Sequence, residues 1–228
     1  MENLGGIWFQ HLQEKKLKNF GSMDWLDPYT TLIAQLHTMC KPSRIIHSKS
    51  VARTMRDLCL RYDADADAGV LSGLLHDSCK DMKIEHQWEY ALKAADIEEF
   101  KTINAIVKSM ENQPSFSGKV IHGPAAAMFA FEQGITDDIV ILESLALHST
   151  GSTDMTILSK LLFIADKLEP LRPYRNISDD KAMETMDVDE LLLYALKQSM
   201  TWVRREQGTI AESTIDLYNI LTEQDRMR

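Results

Sequence analysis

Cysteine is scarce in this chain: Cys40, Cys59 and Cys79 are the only three in 228 residues. An odd count without Cys-x-x-Cys spacing argues against a disulfide framework or a zinc ribbon, and it fits a reducing cytoplasm. Long apolar runs are missing too. No stretch approaches the ~20 residues a membrane span needs, and Met1-Glu2-Asn3-Leu4 lacks the basic-then-apolar layout of a secretory signal. Positive charge is in deficit, with 25 Lys and Arg against 34 Asp and Glu and a net charge of −9. Such a balance speaks against a nucleic-acid polymer as partner, which takes a basic face. A small polyphosphate stays open as a partner, provided that metals or a few Lys and Arg supply positive charge locally. Strand-like alternation, repeats and low-complexity tracts are not visible either.

What remains is a chain with 44% apolar residues, enough to bury a core. From Asp27 onward the pattern is repeatedly helical. Asp27-Pro28 opens a helix to about Met39, and Lys41-Pro42-Ser43 resets the chain with Ser43 as N-cap. Further helices are predicted from there to about Tyr62, then over 64–75, 84–97, 99–111, 119–133, 137–148, 154–168, 188–206 and 210–224. The loops between them are short, with Gly134, Pro170 and Gly208 as stops. This predicts an all-α fold, a single helical bundle over residues 27–228. Residues 1–26 form an N-terminal extension, either a short amphipathic helix carrying Ile7, Trp8, Phe9, Leu12 and Phe20 or a flexible segment.

The informative anomaly is where His and Asp fall in the helical phase. His47 is followed at i+4, i+8 and i+11 by Val51, Met55 and Leu58, so it lies on a buried stripe. His122 shares a face with Ala125, Ala126 and Phe129, and His148 is in phase with Ile141 and Leu145. Asp166 lies on the side of Leu158 and Leu162, and His76-Asp77 ends the run Leu74-Leu75. Each of these alone has an ordinary explanation, such as a hydrogen-bonded core histidine or a capping Asp. Together they place carboxylates and imidazoles inward on separate helices. Burying an unpaired carboxylate costs roughly several kcal/mol, so a shared divalent metal, or a pair of metals, is the expected partner. His11, His37 and His86 lack that context and are expected at the surface or in packing. Cys79 is expected to be a small buried thiol.

The stretches His47-Ser48-Lys49-Ser50, Leu74-Leu75-His76-Asp77-Ser78-Cys79-Lys80-Asp81, Ile121-His122-Gly123-Pro124, His148-Ser149-Thr150-Gly151 and Ala165-Asp166-Lys167-Leu168-Glu169-Pro170-Leu171-Arg172 stand in this order. In that layout, over about residues 28–222, the chain resembles the HD superfamily of metal-dependent phosphohydrolases. More narrowly, it resembles the YqeK family of bacterial symmetrical diadenosine-tetraphosphate hydrolases. The resemblance implies a helical HD fold, often a homodimer, with a dinuclear iron-type centre that splits a dinucleoside tetraphosphate into two nucleoside diphosphates. It also implies that one metal takes His47, His76, Asp77 and Asp166, while the second takes His122 and His148 with Asp77 bridging. Manganese, cobalt or zinc would suit the same ligands. Leu171 stands where the family often has glycine, and Ser152-Thr153-Asp154 where a basic residue is frequent.

Such a centre would activate water for attack on a phosphorus near the middle of the polyphosphate. Lys80, Thr150, Gly151 and Arg172 are the expected substrate contacts: Lys80 and Arg172 for phosphate, Thr150 and Gly151 for a hydroxyl and a close backbone N–H. Asp81 is expected to orient a ligand or a water. The alternatives are an HD phosphohydrolase of guanosine polyphosphates, cyclic dinucleotides or deoxynucleotides, or a non-catalytic HD nucleotide sensor.

Overall fold

The structure, a computed structural model, describes residues 22–111, 113 and 118–227. Most of the expected N-terminal extension, residues 1–21 with His11, lies outside the described residues. Eleven α-helices and no strand occur among the described residues. They are α1 (Thr30–Met39), α2 (Pro42–Arg61), α3 (Ala66–Leu75), α4 (Ile84–Leu92), α5 (Lys101–Glu111) and α6 (His122–Glu132). These are followed by α7 (Ile139–Leu147), α8 (Ile157–Leu168), α9 (Ile177–Thr185), α10 (Val188–Arg205) and α11 (Glu212–Arg226). The all-α bundle that the periodicity predicts is found, and no helix among the described residues is long and apolar enough to cross a membrane.

Capping chemistry sets many of the boundaries. Asp65 accepts the backbone N–H of Asp67 and Ala68 to start α3, Asp138 accepts that of Val140 to start α7, and Thr156 accepts that of Ser159 to start α8. Ser43 is not the N-cap of α2. Lys41 takes that position in extended backbone, and Pro42 follows at the first helical position, where a missing N–H costs nothing. The helix expected over 84–97 stops at Leu92 and passes into two 3-10 turns, Lys93–Asp96 and Glu98–Phe100. Helix α9 was not expected from the hydrophobic pattern. It buries only Asp179 and Ala182, and it is defined by a reciprocal capping box between Asn176 and Asp179.

Helix α8 is the axis of the core. Leu158, Leu161, Leu162, Phe163, Ile164, Ala165 and Leu168 are all buried there, and the helix packs against α2, α3, α7 and α10. Helices α2 and α3 form the closest pair, and glycine makes it so. A Cβ on Gly73 would stand 2.5 Å from Ala52 Cα and 2.7 Å from Ala52 N. Backbone cannot retreat as a flexible side chain can. The approach matters because His76 follows Gly73 by three residues and His47 precedes Ala52 by five.

Gly73→Val is therefore expected to cost about 2 kcal/mol or more through overpacking, and to part the two helices that carry His47 and His76. Gly118→Ala, with nothing within 4 Å of the added atom, should change stability little. Urea unfolding of both variants checks the contrast.

Candidate metal centre

Five elements deliver the six side chains singled out in the sequence. His47 comes from the second turn of α2, His76 and Asp77 from the turn that ends α3, and His122 from the first residue of α6. His148 is the C-cap of α7, and Asp166 lies in the last turn of α8. A Cβ on Gly123 would stand 2.9 Å from the Leu145 carbonyl oxygen, so a residue without one lets the start of α6 abut the end of α7. His122 and His148 meet as a result, their Nε2 atoms 3.2 Å apart.

On the other side, His47 Nε2 is 3.2 Å from His76 Nε2 and 3.1 Å from Asp166 Oδ1. Asp77 lies between the two pairs. Its Oδ1 is 3.2 Å from His122 Nε2 and 3.6 Å from His148 Nε2, and its Oδ2 is 3.7 Å from His76 and 3.9 Å from His47. Two overlapping triads, His47–His76–Asp166 and His76–Asp77–His148, each keep three ligand atoms within 4.8 Å of one another. Five of the six residues are buried, and the His47 side chain is 13% exposed.

The tautomers follow from what lies behind each ring. His76 Nδ1 is 2.8 Å from the Gly73 carbonyl and His148 Nδ1 is 2.7 Å from the Leu145 carbonyl. A carbonyl only accepts, so each Nδ1 carries the hydrogen and each inward Nε2 carries the lone pair. Burial pushes His76 down to about 4 and His122 down to about 3, which keeps both neutral at pH 7. Burial alone would raise Asp77 and Asp166. Lys80 beside Asp77, and Lys167 and Arg172 beside Asp166, instead hold them well below the usual carboxylate range. Neutral imidazole lone pairs and ionised carboxylate oxygens thus point at one another in a dry interior. That donor set fits borderline divalent transition metals better than calcium, which takes oxygen alone.

A cleft of about 580 Å³ opens beside the cluster. His122, Ser149 and Asp166 line it on the cluster side. Lys80, Lys119, Lys167 and Arg172 bring positive charge, whereas Asp166 and Glu206 are the acids of the lining. Tyr174, Met200, Trp202, Val203 and Ile210 supply apolar surface. The field here is the reverse of the chain's overall −9.

Residues 44–171 match the model of the HD domain family, and this span holds all six residues. The chain belongs to the HD domain family. HD hydrolases are metal-dependent, in keeping with the donor set. A Staphylococcus aureus protein named bis(5'-nucleosyl)-tetraphosphatase, symmetrical, is 29% identical, over 80% of this chain and 88% of its own. A Bacillus subtilis protein of the same name is 25% identical, over 78% and 89%. A crystal structure from Clostridium acetobutylicum, described as a predicted HD superfamily hydrolase involved in NAD metabolism, shares the fold. Its TM-score is 0.71 at 24% identity, covering 86% of this chain and 97% of that one.

Around this HD centre the remaining expected residues divide. Lys80 Nζ lies 3.1 and 3.2 Å from the two Asp77 oxygens. Arg172 donates through Nε to the Asp166 carbonyl at 2.6 Å and through Nη2 to the Asp166 carboxylate. Both line the cleft. Asp81 is not part of its lining and instead accepts the Lys41 N–H at 3.0 Å and pairs with Arg44 at 3.5 Å. Thr150 and Gly151 turn toward the core. The Thr150 carbonyl accepts the Thr214 hydroxyl at 2.6 Å, a Cβ on Gly151 would meet Leu217 at 2.9 Å, and neither residue lines the cleft. Ser149 stands there instead, its Oγ 3.0 Å from His148 Nε2 and 3.3 Å from His122 Nε2.

Helical phase also passed over Arg44, Lys167 and Glu169. Arg44 reaches Asp77 Oδ2 at 2.7 Å, and Lys167 reaches Asp166 Oδ2 at 2.6 Å. Glu169 lies behind His47, its Oε1 3.1 Å from Nδ1. Cys79 is buried as expected, its thiol pushed up to about 12 by burial. His37 and His86 are exposed.

The depressed histidines carry a stability consequence. Unfolded, His76 and His122 titrate near 6.5; folded, near 4 and 3. Between those values the unfolded chain binds more protons, so stability falls as pH drops from about 6.5 toward 4. His47 acts in the opposite sense, because its folded value is raised by hydrogen bonds to Asp166 and Glu169 against burial and Arg172. Two against one leaves a net acid-labile apoprotein. Urea midpoints of chelator-treated protein from pH 7 to 4 should fall, less steeply in His76→Gln and His122→Gln.

Proposed function

We propose that this HD domain hydrolyses dinucleoside tetraphosphates such as diadenosine tetraphosphate, releasing two nucleoside diphosphates. The observation that carries the reading is a buried cage of four imidazoles and two carboxylates opening onto a cleft with four cations and apolar walls. The names of the Staphylococcus and Bacillus relatives support it. In this reading the domain runs over residues 27–228, works in the cytoplasm and pairs as a homodimer. His47, His76, Asp77 and Asp166 hold one ion, and His122 and His148 hold a second, with Asp77 shared. Iron is the favoured metal, with manganese, cobalt or zinc able to take the same ligands.

When bound, such ions supply an activated water and positive charge for the phosphoryl oxygens. The chain's own groups do the rest. Lys80 and Arg172, now tied to Asp77 and Asp166, turn part of their charge to the central phosphates. Lys167 is held over the Phe163 ring, 4.6 Å from its centroid, and donates to the His148 carbonyl. In this reading its charge offsets that on the departing diphosphate. Ser149, rather than Thr150 or Gly151, offers the hydroxyl. Trp202 and Tyr174, 52% and 41% exposed on the cleft wall, are free to stack on a nucleobase.

Metal analysis and product analysis test the assignment. Wild-type protein should convert diadenosine tetraphosphate to ADP alone, and chelation should abolish turnover. His76→Ala and Asp77→Ala should lose bound metal and more than the ~10–100-fold typical of outer-shell changes. Wild-type metal content and turnover in both variants would refute the centre. AMP with ATP would refute symmetrical cleavage, and pyrophosphate from guanosine polyphosphates would move the protein to the alternative substrate class.

Base stacking on an aromatic wall is worth about 1–3 kcal/mol. Trp202→Ala is thus expected to raise KM about fivefold or more with kcat little changed. Steady-state kinetics separate the two parameters.

A further inference from the structure

Glu169 is a buried carboxylate beside the metal-centre histidines. It caps the C-terminal end of α8, three residues after Asp166, and is 2% exposed. Both of its oxygens are engaged. Oε1 faces His47 Nδ1 at 3.1 Å, and Oε2 accepts the Ser50 hydroxyl and the Leu171 N–H, each at 2.6 Å. Ser50 lies one turn along α2 from His47, so a single helix face presents both donors. Such saturation fixes the carboxylate's position.

The histidines are not backed alike. His76 and His148 donate their Nδ1–H to backbone carbonyls, which are neutral dipoles. His47 has a full negative charge behind it. An imidazole whose far nitrogen donates to a carboxylate is a stronger base at the near one, and its ring is locked in orientation. Arg172 Nη2, 3.4 Å from His47 Nε2, opposes this, but it is anchored to Asp166. The two halves of the cluster also differ in carboxylates. The His47 and His76 half meets two carboxylates, Asp166, which Lys167 and Arg172 also contact, and Asp77, whereas the His122 and His148 half meets only Asp77, whose Oδ1 also receives Lys80 at 3.1 Å.

We infer that Glu169 is a positioning residue that acts through His47 to tighten one of the two ions, so that the centre loads unequally. The inference rests on the metal-centre reading above, and a binding experiment separates their failures.

Cobalt(II) titrated into the apoprotein, followed by its visible absorption and by equilibrium with a competing chelator, counts and ranks the two equivalents. Wild-type protein should take up one equivalent well before the other. In Glu169→Gln the tighter equivalent should weaken ~10–100-fold, the usual scale for loss of such a partner, with the weaker one within about threefold. Glu169→Asp should recover part of the loss. His47→Ala with Glu169→Gln should bind no worse than His47→Ala alone, because the effect passes through that ring. Wild-type affinities in Glu169→Gln, equal weakening of both equivalents, or full additivity with His47→Ala would overturn the inference. Should Glu169→Gln fail to fold, Ser50→Ala must weaken the same equivalent by a smaller factor, and no change there would overturn it too. If wild-type protein takes up no cobalt, the metal-centre reading itself falls.

Discussion

Two ionised carboxylates sit in the middle of this helical bundle, and everything around them answers their charge. Bringing even one such group out of water costs several kcal/mol after relaxation, roughly. Asp77 meets Arg44, Lys80 and the Nε2 atoms of four histidines, and Asp166 meets Lys167, Arg172, His47 and His76. The imidazoles are themselves kept neutral by burial or oriented by what lies behind them. Four of the five contributing elements supply their side chains at or near a helix end. Placement there lets side chains from different directions reach one point without their own helices blocking the way.

The same constraint explains the contrast between the molecule and its cleft. A chain with a net charge of −9 repels polyphosphates at long range. Within the cleft the cationic groups drawn in by the buried carboxylates outnumber the acids. Low-dielectric walls make that local excess count for more than the distant surface charge. The apolar side of the cleft, from Tyr174 to Ile210, comes from the loop before α9, from α10 and from the loop after it, outside the span matched by the family model.

Much of this was legible in the sequence because period and polarity disagreed at four positions and the His76-Asp77 pair ended an apolar run. His47, His122, His148 and Asp166 fell on apolar faces, and each is where that disagreement put it, pointing inward. Glu169 gave no such sign. It follows a helix rather than riding on its stripe, and its meaning depends on Ser50 and His47, more than a hundred residues away in sequence. Arg44 and Lys167 were hidden for a related reason, since long cationic side chains are ordinary at helix ends. Helix α9 escaped because its exposed face is its larger part; only the Asn176–Asp179 spacing announces it. Thr150 and Gly151 show the converse error. They stand beside His148 in sequence, but the turn after α7 swings them into the core and leaves Ser149 at the cleft.

Central to the account is a cage that grips two metal ions. Anomalous diffraction from crystals of protein purified without added metal addresses this most directly. Two peaks about 3.5–4 Å apart, the usual spacing of such pairs, are the expected result. One should lie among His47, His76 and Asp166, the other between His122 and His148, with Asp77 touching both. An ordered cluster with no anomalous peak, its histidines bonded only to one another and to the lysines, would contradict it.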